Sequence, residues 1–355
     1  MKRKLKIGIV TYPSIGGSGF VASSLALELS KRKHETHVFS FDIPHLLRQP
    51  NVPNLKLHMV HCEQYSLFKY PDYTTQLASK IIEIHQQENL DVLNVHYALP
   101  HAISAYLVKE IADLPYVVTL HGTDVHTFAD KTEFKPVLKK SIVEAGAITA
   151  VCDFLSGEAR RIFGVEKIRT IRNFIDHKNL GSQISSSPKD ILGPMLLHIS
   201  NYREIKRVDD LIEGMPYIIE ALPTARLNLI GDGPAIPNLK LKTRKMNLEE
   251  HVLFSGFQND LSSWFQNSHL FVLSSDIEGA PLTFLEAMFF GLPIIASDVG
   301  GVSEIVKQVM RKGFYGYCLQ CMQSFDDLIG HKRDLHPSGY RKVFREAGNI
   351  NDNAY

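Results

Sequence analysis

Short β-rich runs alternate with longer amphipathic stretches along the first half of this chain, and this alternation restricts the fold more than any other feature. The β-rich runs occupy 5–10, 36–41, 55–60, 91–97, 116–121 and 147–151, and helical patterns lie between most of them, for example at 18–32, 74–88 and 100–112. Strands that alternate with helices of this length are typical of parallel sheets with helices on both faces. The sequence therefore predicts an α/β fold built on a doubly wound parallel sheet.

A polar segment at 176–192, rich in Ser, Gly and Asn, interrupts the alternation. The alternation then resumes, with β-rich runs at 196–200, 226–231, 252–256, 270–275 and 293–298. A chain of 355 residues exceeds the size at which one hydrophobic core usually keeps growing. We therefore predict a first domain at 1–175, a linker at 176–192 and a second α/β domain at 193–355.

Charge and cysteine content exclude several classes of protein. The formal net charge is +1, so the chain has no global attraction for nucleic acid or for an acidic membrane. No stretch reaches the roughly 18 consecutive apolar residues that a transmembrane helix needs. The four cysteines are too few for the disulfide framework of a secreted protein, which favours the cytoplasm. Cys318 and Cys321 form a CxxC, but no second pair lies at zinc-site spacing, so two free thiols are the preferred interpretation.

Ligands of open α/β sheets bind beyond the carboxyl ends of the strands, so the residues that follow each β-rich run are candidates for a site. The first run leads into the GGSG turn at 16–19, where a helical pattern begins. Glycine permits a close backbone approach, and a helix N-terminus offers amides to an anion, which makes Gly17 and Ser18 candidates. Tight packing of the glycines without any ligand is the alternative.

Polar side chains also follow the fourth and fifth β-rich runs. His121 begins the sequence His-Gly-Thr-Asp, and an imidazole at a strand end can donate to a hydroxyl or stabilise developing charge. A structural histidine is the alternative. Tyr97 lies after the preceding run, between His96 and His101, and for these two histidines a structural role is the prediction.

Cations follow the first run of the second half. Arg203 and Lys206 precede a helical pattern, and two cations in a partly desolvated site can stabilise an anionic leaving group without a metal ion. The alternative is a solvated basic start of a helix.

Glu278 and Glu286, separated by seven residues, are the most specific pair in the chain. Pro281 suits the first position of a helix, which Gly291 would end, so Glu278 is predicted in a loop and Glu286 on the helix. The amides near 280–283 would then point towards an anion, and two incidental surface glutamates are the alternative.

The Glu-x7-Glu pair and the ASDVGGVSEIV run from Ala296 resemble the retaining GT-B glycosyltransferases of family 4, and the similarity spans about residues 5 to 310. The segments TYPSIGGSG, QYSLFKYPDY, NVHYALPHA, TLHGTD and RNFID are similar to the branch that joins N-acetylglucosamine to L-malate in bacillithiol biosynthesis. This resemblance implies two Rossmann-like domains that face a central cleft, with the acceptor on the N-terminal domain and UDP-N-acetylglucosamine on the C-terminal one. It implies a metal-independent hexosyltransferase with no cofactor, because the UDP-sugar is a co-substrate, and it implies a homodimer.

The resemblance also assigns roles to single residues. Arg203 and Lys206 would hold the donor diphosphate, Glu286 the ribose and Glu278 the hydroxyls of the donor sugar, with His121 near the same ring. The other implied contacts are Gly17, Ala280, Leu282 and Thr283 for the donor, Ser18, Tyr97 and Thr123 for the acceptor, and Asn173 as a further cleft residue.

The chain departs from the pattern of this family in three places. The common pattern has Gly-Arg at the start of the basic loop, where this chain has Ser200-Asn201 and its arginine at 203. Gly279-Ala280-Pro281 replaces the more usual Ser-Phe-Gly, and Pro281 removes one backbone donor. From about residue 310 the sequence does not resemble the long closing helices of the family, so we expect an atypical or shortened tail. Three alternatives stay open: a family 4 enzyme with a lipid or polysaccharide acceptor, an inactive GT-B protein that binds a sugar nucleotide, and a sugar-nucleotide epimerase.

Overall fold

The chain divides into two compact units, Met1–Asn173 and Phe174–Tyr355. The computed structural model describes residues 3–14, 16–48, 52–62, 69, 71–126, 131–176, 180, 193–311 and 318–322, without the side chains of 308–311 and 318–322. The predicted linker, apart from 176 and 180, and most of the predicted atypical tail lie outside these residues, as does most of the QYSLFKYPDY segment.

The first unit contains a seven-stranded sheet in the order β3-β2-β1-β4-β5-β6-β7, and all of its strand pairs are parallel. The strands are β1 Lys6–Val10, β2 Glu35–Ser40, β3 Leu55–Met59, β4 Val92–His96, β5 Tyr116–Leu120, β6 Ala147–Ala150 and β7 Ile168–Thr170. The helices are α1 Ser18–Lys31, α2 Tyr73–Glu88, α3 Ile103–Ala112, α4 Thr123–His126, α5 Lys135–Val143 and α6 Asp153–Phe163. The order of the strands reverses next to β1, which is where such sheets bind ligands.

The second unit contains a six-stranded parallel sheet in the order β10-β9-β8-β11-β12-β13. The strands are β8 Met195–Ile199, β9 Arg226–Ile230, β10 Val252–Gly256, β11 Leu270–Leu273, β12 Ile294–Ser297 and β13 Cys318–Met322. The helices are α7 Val208–Ala221, α8 Ile236–Lys245, α9 Ser262–Gln266, α10 Leu282–Phe289 and α11 Val302–Arg311. Both units therefore confirm the predicted α/β class with doubly wound parallel sheets.

Both faces of the second sheet are covered, which explains why its strands are almost continuously apolar. Neighbouring residues of one strand pack into different cores: Leu196 joins the cluster that contains Ile212 of α7, and Leu197 joins the cluster that contains Phe284 of α10. Strands that are buried on both faces need apolar side chains at every position. Among the described residues, none of the helices is both long and apolar enough to cross a bilayer.

Three details differ from the sequence predictions. The strands β7 and β13 were not predicted; the first has only three residues, and the second lies where the tail no longer resembled the family. The predicted helix at 100–112 starts with a π-helical turn, Ala98–Ala102, before α3. Pro281 is the residue before α10 and not its first helical residue, because its ψ of 125° is extended, whereas Gly291, with φ of 70°, follows the helix as predicted.

Candidate active site

Lys206 and Glu278 form a buried ion pair in the second unit. The Lys206 ammonium lies 2.6 Å from Oε1 of Glu278, and the two side chains are only 14% and 9% exposed. The Ser275 hydroxyl donates to the same oxygen at 2.7 Å. Removing one partner of a buried pair costs about 3–5 kcal/mol, because the other charge stays buried and uncompensated. The pair therefore fixes Glu278 in one position.

Backbone contacts hold the loop after β8 against the loop after β11. Lys206 ends a 3-10 turn, Glu204–Lys206, and its carbonyl accepts a hydrogen bond from the Ser274 hydroxyl at 2.8 Å. The Asp276 amide donates to the carbonyl of Ile205 at 2.9 Å. Lys206 and Glu278, which are 72 residues apart in the sequence, thus meet because their strands are neighbours in the sheet.

The loop after β12 contacts the same place. The Gly301 amide donates to the carbonyl of Glu278 at 3.2 Å, and Gly300 lies against this carbonyl with a φ of 57°. A Cβ on Gly300 would overlap the Glu278 carbonyl oxygen. The glycine run after β12 therefore shapes the site through the backbone of Glu278, and nothing but a hydrogen fits at position 300.

Four other predicted donor residues, Arg203, Ala280, Leu282 and Thr283, lie within five residues of Lys206 or Glu278 in the sequence. Nε of the Arg203 side chain donates to Oδ1 of Asn201 over a long distance of 3.4 Å. The backbone carbonyl of Arg203 accepts a hydrogen bond from the Lys206 amide at 2.9 Å. Ala280 lies in the loop before α10, and Leu282 and Thr283 are the first two residues of that helix, where amides lack intrahelical partners. Ser274 and Ser275 were not predicted as site residues, although two serines directly after a strand are a usable signal.

Glu286 lies on α10 and keeps some contact with solvent. Burial raises the pKa of its carboxyl to about 7. The folded state therefore holds a proton more tightly than the unfolded chain, in which a glutamate has a pKa near 4.5. This stabilisation is complete below pH 4.5 and is lost as the pH rises through about 7.

We expect Glu286→Gln to match the wild type in stability at pH 4.5 and to exceed it at pH 8. The reason is that the wild type must ionise a buried carboxyl at pH 8, which costs up to about 3 kcal/mol for a shift of this size. Urea unfolding of both proteins at the two pH values measures this difference, with Glu304→Gln on α11 as the control. A constant difference between the two proteins across this range would contradict the shift.

Two histidines meet at the carboxyl ends of β4 and β5 in the first unit. Nδ1 of His96 lies 3.0 Å from Nε2 of His121. His101 donates from Nδ1 to the carbonyl of His96 at 2.6 Å. Burial lowers the pKa of His121 to about 3 and that of His101 to about 4, and it moves the pKa of His96 well below 6.5. All three rings are therefore neutral at pH 7.

Asp124 connects the loops that follow these two strands. Its carboxylate accepts hydrogen bonds from the amides of His121, Gly122 and Ala98, at 3.1, 2.7 and 3.2 Å. The residue is fully buried, and burial raises the pKa of its carboxyl to about 6, against the opposing effect of these bonds. Asp124 had no role predicted from the sequence, although an aspartate three residues after His121 is a typical signal for such a backbone cap.

The glycine turn before α1 contains two glycines with different constraints. Gly17 caps the helix with φ of 59°, and among the described residues other than its chain neighbours no heavy atom lies within 4 Å of the place where its Cβ would be. A Cβ on Gly19 would collide with Ser14 and the Tyr12 carbonyl. Packing therefore explains Gly19, whereas Gly17 is exposed and leaves room for a ligand beside Ser18.

The predicted acceptor residues Tyr97 and Thr123, and Asn173 as the further predicted site residue, all follow strands of the first sheet. Tyr97 directly follows β4 and has a φ of 89°, and its ring packs edge-on against Tyr12, with the ring centres 5.5 Å apart. Thr123 is the first residue of α4. Asn173 is partly buried and ends the first unit, after β7.

The described residues contain one cluster with the ligand types that a metal ion requires. Glu35, His37 and Glu88 place a ligand atom each within 4.8 Å of one another. The Lys56 ammonium, however, lies 2.8 Å from a carboxylate oxygen of Glu35 and from one of Glu88. A lysine already provides the positive charge there, so the cluster is an ion-pair network on β2, β3 and α2.

Comparisons with known proteins agree with this arrangement. The profile of the family described as Glycosyltransferase Family 4 matches residues 15–179, and that of Glycosyl transferases group 1 matches 193–320. The N-acetyl-alpha-D-glucosaminyl L-malate synthase of Bacillus anthracis is 38% identical over 86% of this chain and 81% of its own length. The chain belongs to the family 4 glycosyltransferases. It is therefore a glycosyltransferase, and the resemblance predicted from the Glu-x7-Glu motif is confirmed.

Other similar proteins are more distant. A teichuronic acid biosynthesis glycosyltransferase of Bacillus subtilis, TuaC, described as putative, is 28% identical over 65% of this chain and 59% of its own length. The crystal structure of HepE from Anabaena in complex with UDP-glucose superposes with a TM-score of 0.77 at 19% identity, covering 99% of this chain and 93% of HepE. This structural similarity supports the GT-B fold of family 4 glycosyltransferases.

Proposed function

We propose that this glycosyltransferase transfers N-acetylglucosamine from UDP-N-acetylglucosamine to L-malate and retains the anomeric configuration, as the first step of bacillithiol biosynthesis. The buried Lys206–Glu278 pair carries the proposal, because it combines a fixed cation with a fixed carboxylate at the carboxyl ends of β8 and β11. The substrates follow from the name of the Bacillus anthracis relative, whose identity of 38% exceeds the 28% of TuaC.

The second unit would bind the donor. Lys206 and Arg203 would neutralise the diphosphate, and the first amides of α10, with Ala280 before them, would donate to its oxygens. A carboxylate accepts hydrogen bonds from hydroxyl groups, so Glu286 would hold the ribose and Glu278 the donor sugar. Because Lys206 is already fixed before the reaction, it stabilises the charge of the leaving group without reorganisation.

The first unit would bind the acceptor. L-malate is a small dicarboxylate, and α1 offers it the amide end of a 14-residue helix with no acidic residue in the first turn. We assign acceptor contacts to Ser18, Tyr97 and Thr123, a donor contact to Gly17 and a further contact to Asn173. His121 would donate a hydrogen bond to the transferred sugar.

The chemical step balances without a protein nucleophile. The oxygen of the malate hydroxyl forms a bond to C1 of the sugar on the face from which UDP departs. The bond between C1 and the β-phosphate oxygen breaks, and both of its electrons leave with UDP. The hydroxyl proton passes to the departing phosphate oxygen. Glu278 positions the sugar in this scheme, and neither a metal ion nor a cofactor takes part.

We expect the purified protein to convert UDP-N-acetylglucosamine and L-malate into UDP and a glycosyl malate, in buffer with EDTA. Mass spectrometry identifies the product, and a coupled assay measures the release of UDP. Succinate is the matched control, because it has both carboxylates of malate but no hydroxyl group to glycosylate.

Binding of UDP by the folded protein without any turnover would contradict the proposal and favour an inactive sugar-nucleotide-binding protein. Release of the free sugar epimer would favour an epimerase, and transfer to a lipid or polysaccharide acceptor but not to malate would favour a different family 4 activity.

We also propose that the reaction takes place in the cytoplasm and that the enzyme is a homodimer. The donor site would bind a UDP-sugar, and the structurally similar HepE is known in complex with UDP-glucose. Four cysteines in 355 residues are too few for a disulfide framework, which suits a reducing compartment. Sedimentation analysis of the purified protein tests the oligomeric state.

A further inference from the structure

His96 is a buried polar residue that the assignments above leave unused. It ends β4, is 2% exposed, and makes its hydrogen bond to the ring of His121, the residue proposed to contact the transferred sugar. The two rings lie 5.2 Å apart between centres and are inclined by 30°. His96 therefore acts on His121 directly.

Two neutral imidazoles that face each other share one hydrogen between the facing nitrogens, so the bond fixes the tautomer of both rings. If His96 donates from Nδ1, His121 accepts at Nε2 and carries its own hydrogen on Nδ1. If His121 donates from Nε2 instead, its Nδ1 has only a lone pair. The direction of this one bond thus decides whether His121 can donate to a substrate oxygen.

The far side of the His96 ring favours the first direction. Among the described residues, no hydrogen-bond partner faces Nε2 of His96, which is buried. If His121 were the donor, His96 would carry its hydrogen on this nitrogen, as a buried donor without an acceptor. Buried donors without a partner are rarer than buried acceptors without one.

His101 is an example, in the same part of the molecule, of a buried ring nitrogen that carries no hydrogen and has no hydrogen-bond partner among the described residues. Its Nδ1 must carry the hydrogen, because it contacts the carbonyl of His96, and a carbonyl oxygen can only accept. The neutral His101 ring therefore has no hydrogen on Nε2, which is also buried without a partner among the described residues. An Nε2 without hydrogen on His96 would repeat this arrangement five residues earlier in the chain.

We propose that His96 is a positioning residue that donates from Nδ1 to His121 and thereby holds His121 as the Nδ1–H tautomer, ready to donate to an oxygen of the substrate. This inference rests on the proposed function for its kinetic consequences but not for the tautomer itself. Asp124 supports the arrangement by fixing the backbone of His121 and of the loop after His96.

Nitrogen-15 NMR of the protein with labelled histidine tests the tautomer at pH 7 without any substrate. The spectrum of His121→Ala identifies the His121 signals. We expect the hydrogen of His121 on Nδ1 in the wild type and in His96→Asn, whose side-chain amide can replace the donor. His96→Leu removes the donor and should release His121 to a mixture of tautomers. A hydrogen on Nε2 of His121 in the wild type would overturn the proposal.

Enzyme kinetics provide a second test of the positioning role of His96. His96→Leu should lower kcat by about tenfold, the effect of one hydrogen bond of about 1.4 kcal/mol, and His96→Asn should recover most of it. In a His121→Ala background, His96→Leu should have no further effect on kcat. His37→Leu is the control, because His37 is equally buried in the first unit but is hydrogen-bonded to His58.

The two proposals can fail separately. Equal loss of kcat from His96→Leu with and without His121 would mean a merely structural role and would overturn this inference. A wild-type protein that shows the Nδ1–H tautomer but transfers no sugar would contradict the proposed function and leave the tautomer assignment standing. If His96→Leu does not fold, the wild-type and His96→Asn spectra still decide the tautomer.

Discussion

Lys206→Ala is expected to lower turnover by about 10²–10³-fold, because one preorganised charge donor contributes this much to the stabilisation of a leaving anion. Steady-state release of UDP with saturating L-malate measures the change. Among the described residues, the substitution also leaves the Ser275 hydroxyl as the one side-chain hydrogen-bond partner of the buried Glu278, so the second unit should lose about 3–5 kcal/mol of stability. Thermal unfolding must therefore accompany the kinetics.

A double substitution separates catalysis from stability. Lys206→Met combined with Glu278→Gln removes both charges, and replacing a buried pair by uncharged groups is often neutral for stability. We expect this variant to unfold close to the wild type and to remain inactive. Lys242→Ala on α8 is the control, because Lys242 pairs with Asp209 at the surface, where such pairs contribute little. Turnover close to that of the wild type in a folded Lys206→Ala protein would remove Lys206 from the mechanism.

Gly300→Ala is expected to lower both stability and turnover, although residue 300 provides no functional side chain. Its Cβ would overlap the Glu278 carbonyl oxygen, so the loop before α10 would have to move. We expect a loss of about 2–4 kcal/mol in the free energy of unfolding, in the range of severe backbone effects. A displacement of Glu278 by about 1 Å would lower turnover by about 10²-fold.

Gly256→Ala is the matched control for this variant. Gly256 has a similar φ of 66°, and no heavy atom of the described part of the chain, apart from its two sequence neighbours, lies within 4 Å of the place where its Cβ would be. The control therefore includes the strain of a positive φ, about 1 kcal/mol, without the collision. Equal effects of the two substitutions on turnover would show that the contact between Gly300 and Glu278 does not position the site.

The fold could be predicted from the sequence to a large extent, because strands buried on both faces of a parallel sheet must be apolar and must alternate with helices. This is why the eleven predicted β-rich runs correspond to strands of the structure. The strand β7 was not predicted, because three residues are too few to show the hydrophobic pattern of a strand. The position of Pro281 shows the usual uncertainty of one residue at helix ends.

The candidate site was predicted in part. A strand end followed by polar residues is a local signal, and it indicated His121, Lys206, Glu278 and Glu286. The contacts between these residues and their partners are not local. Asp124 had no assigned role and His96 was predicted to be structural, because their contacts with His121 depend on two loops that come together in space; His96 and His121 are 25 residues apart in the sequence.

The sequence by itself determined the class of fold, the family and the residue types at the ends of the strands, since periodicity and motif spacing are properties of neighbouring residues. Only the tertiary structure decided that Lys206 is paired with Glu278, that Gly300 supports this pair through the backbone, and that His96 contacts His121. The physical reason is that hydrogen bonds and desolvation act over a few ångströms in space, and parallel sheets bring together loops that are far apart along the chain.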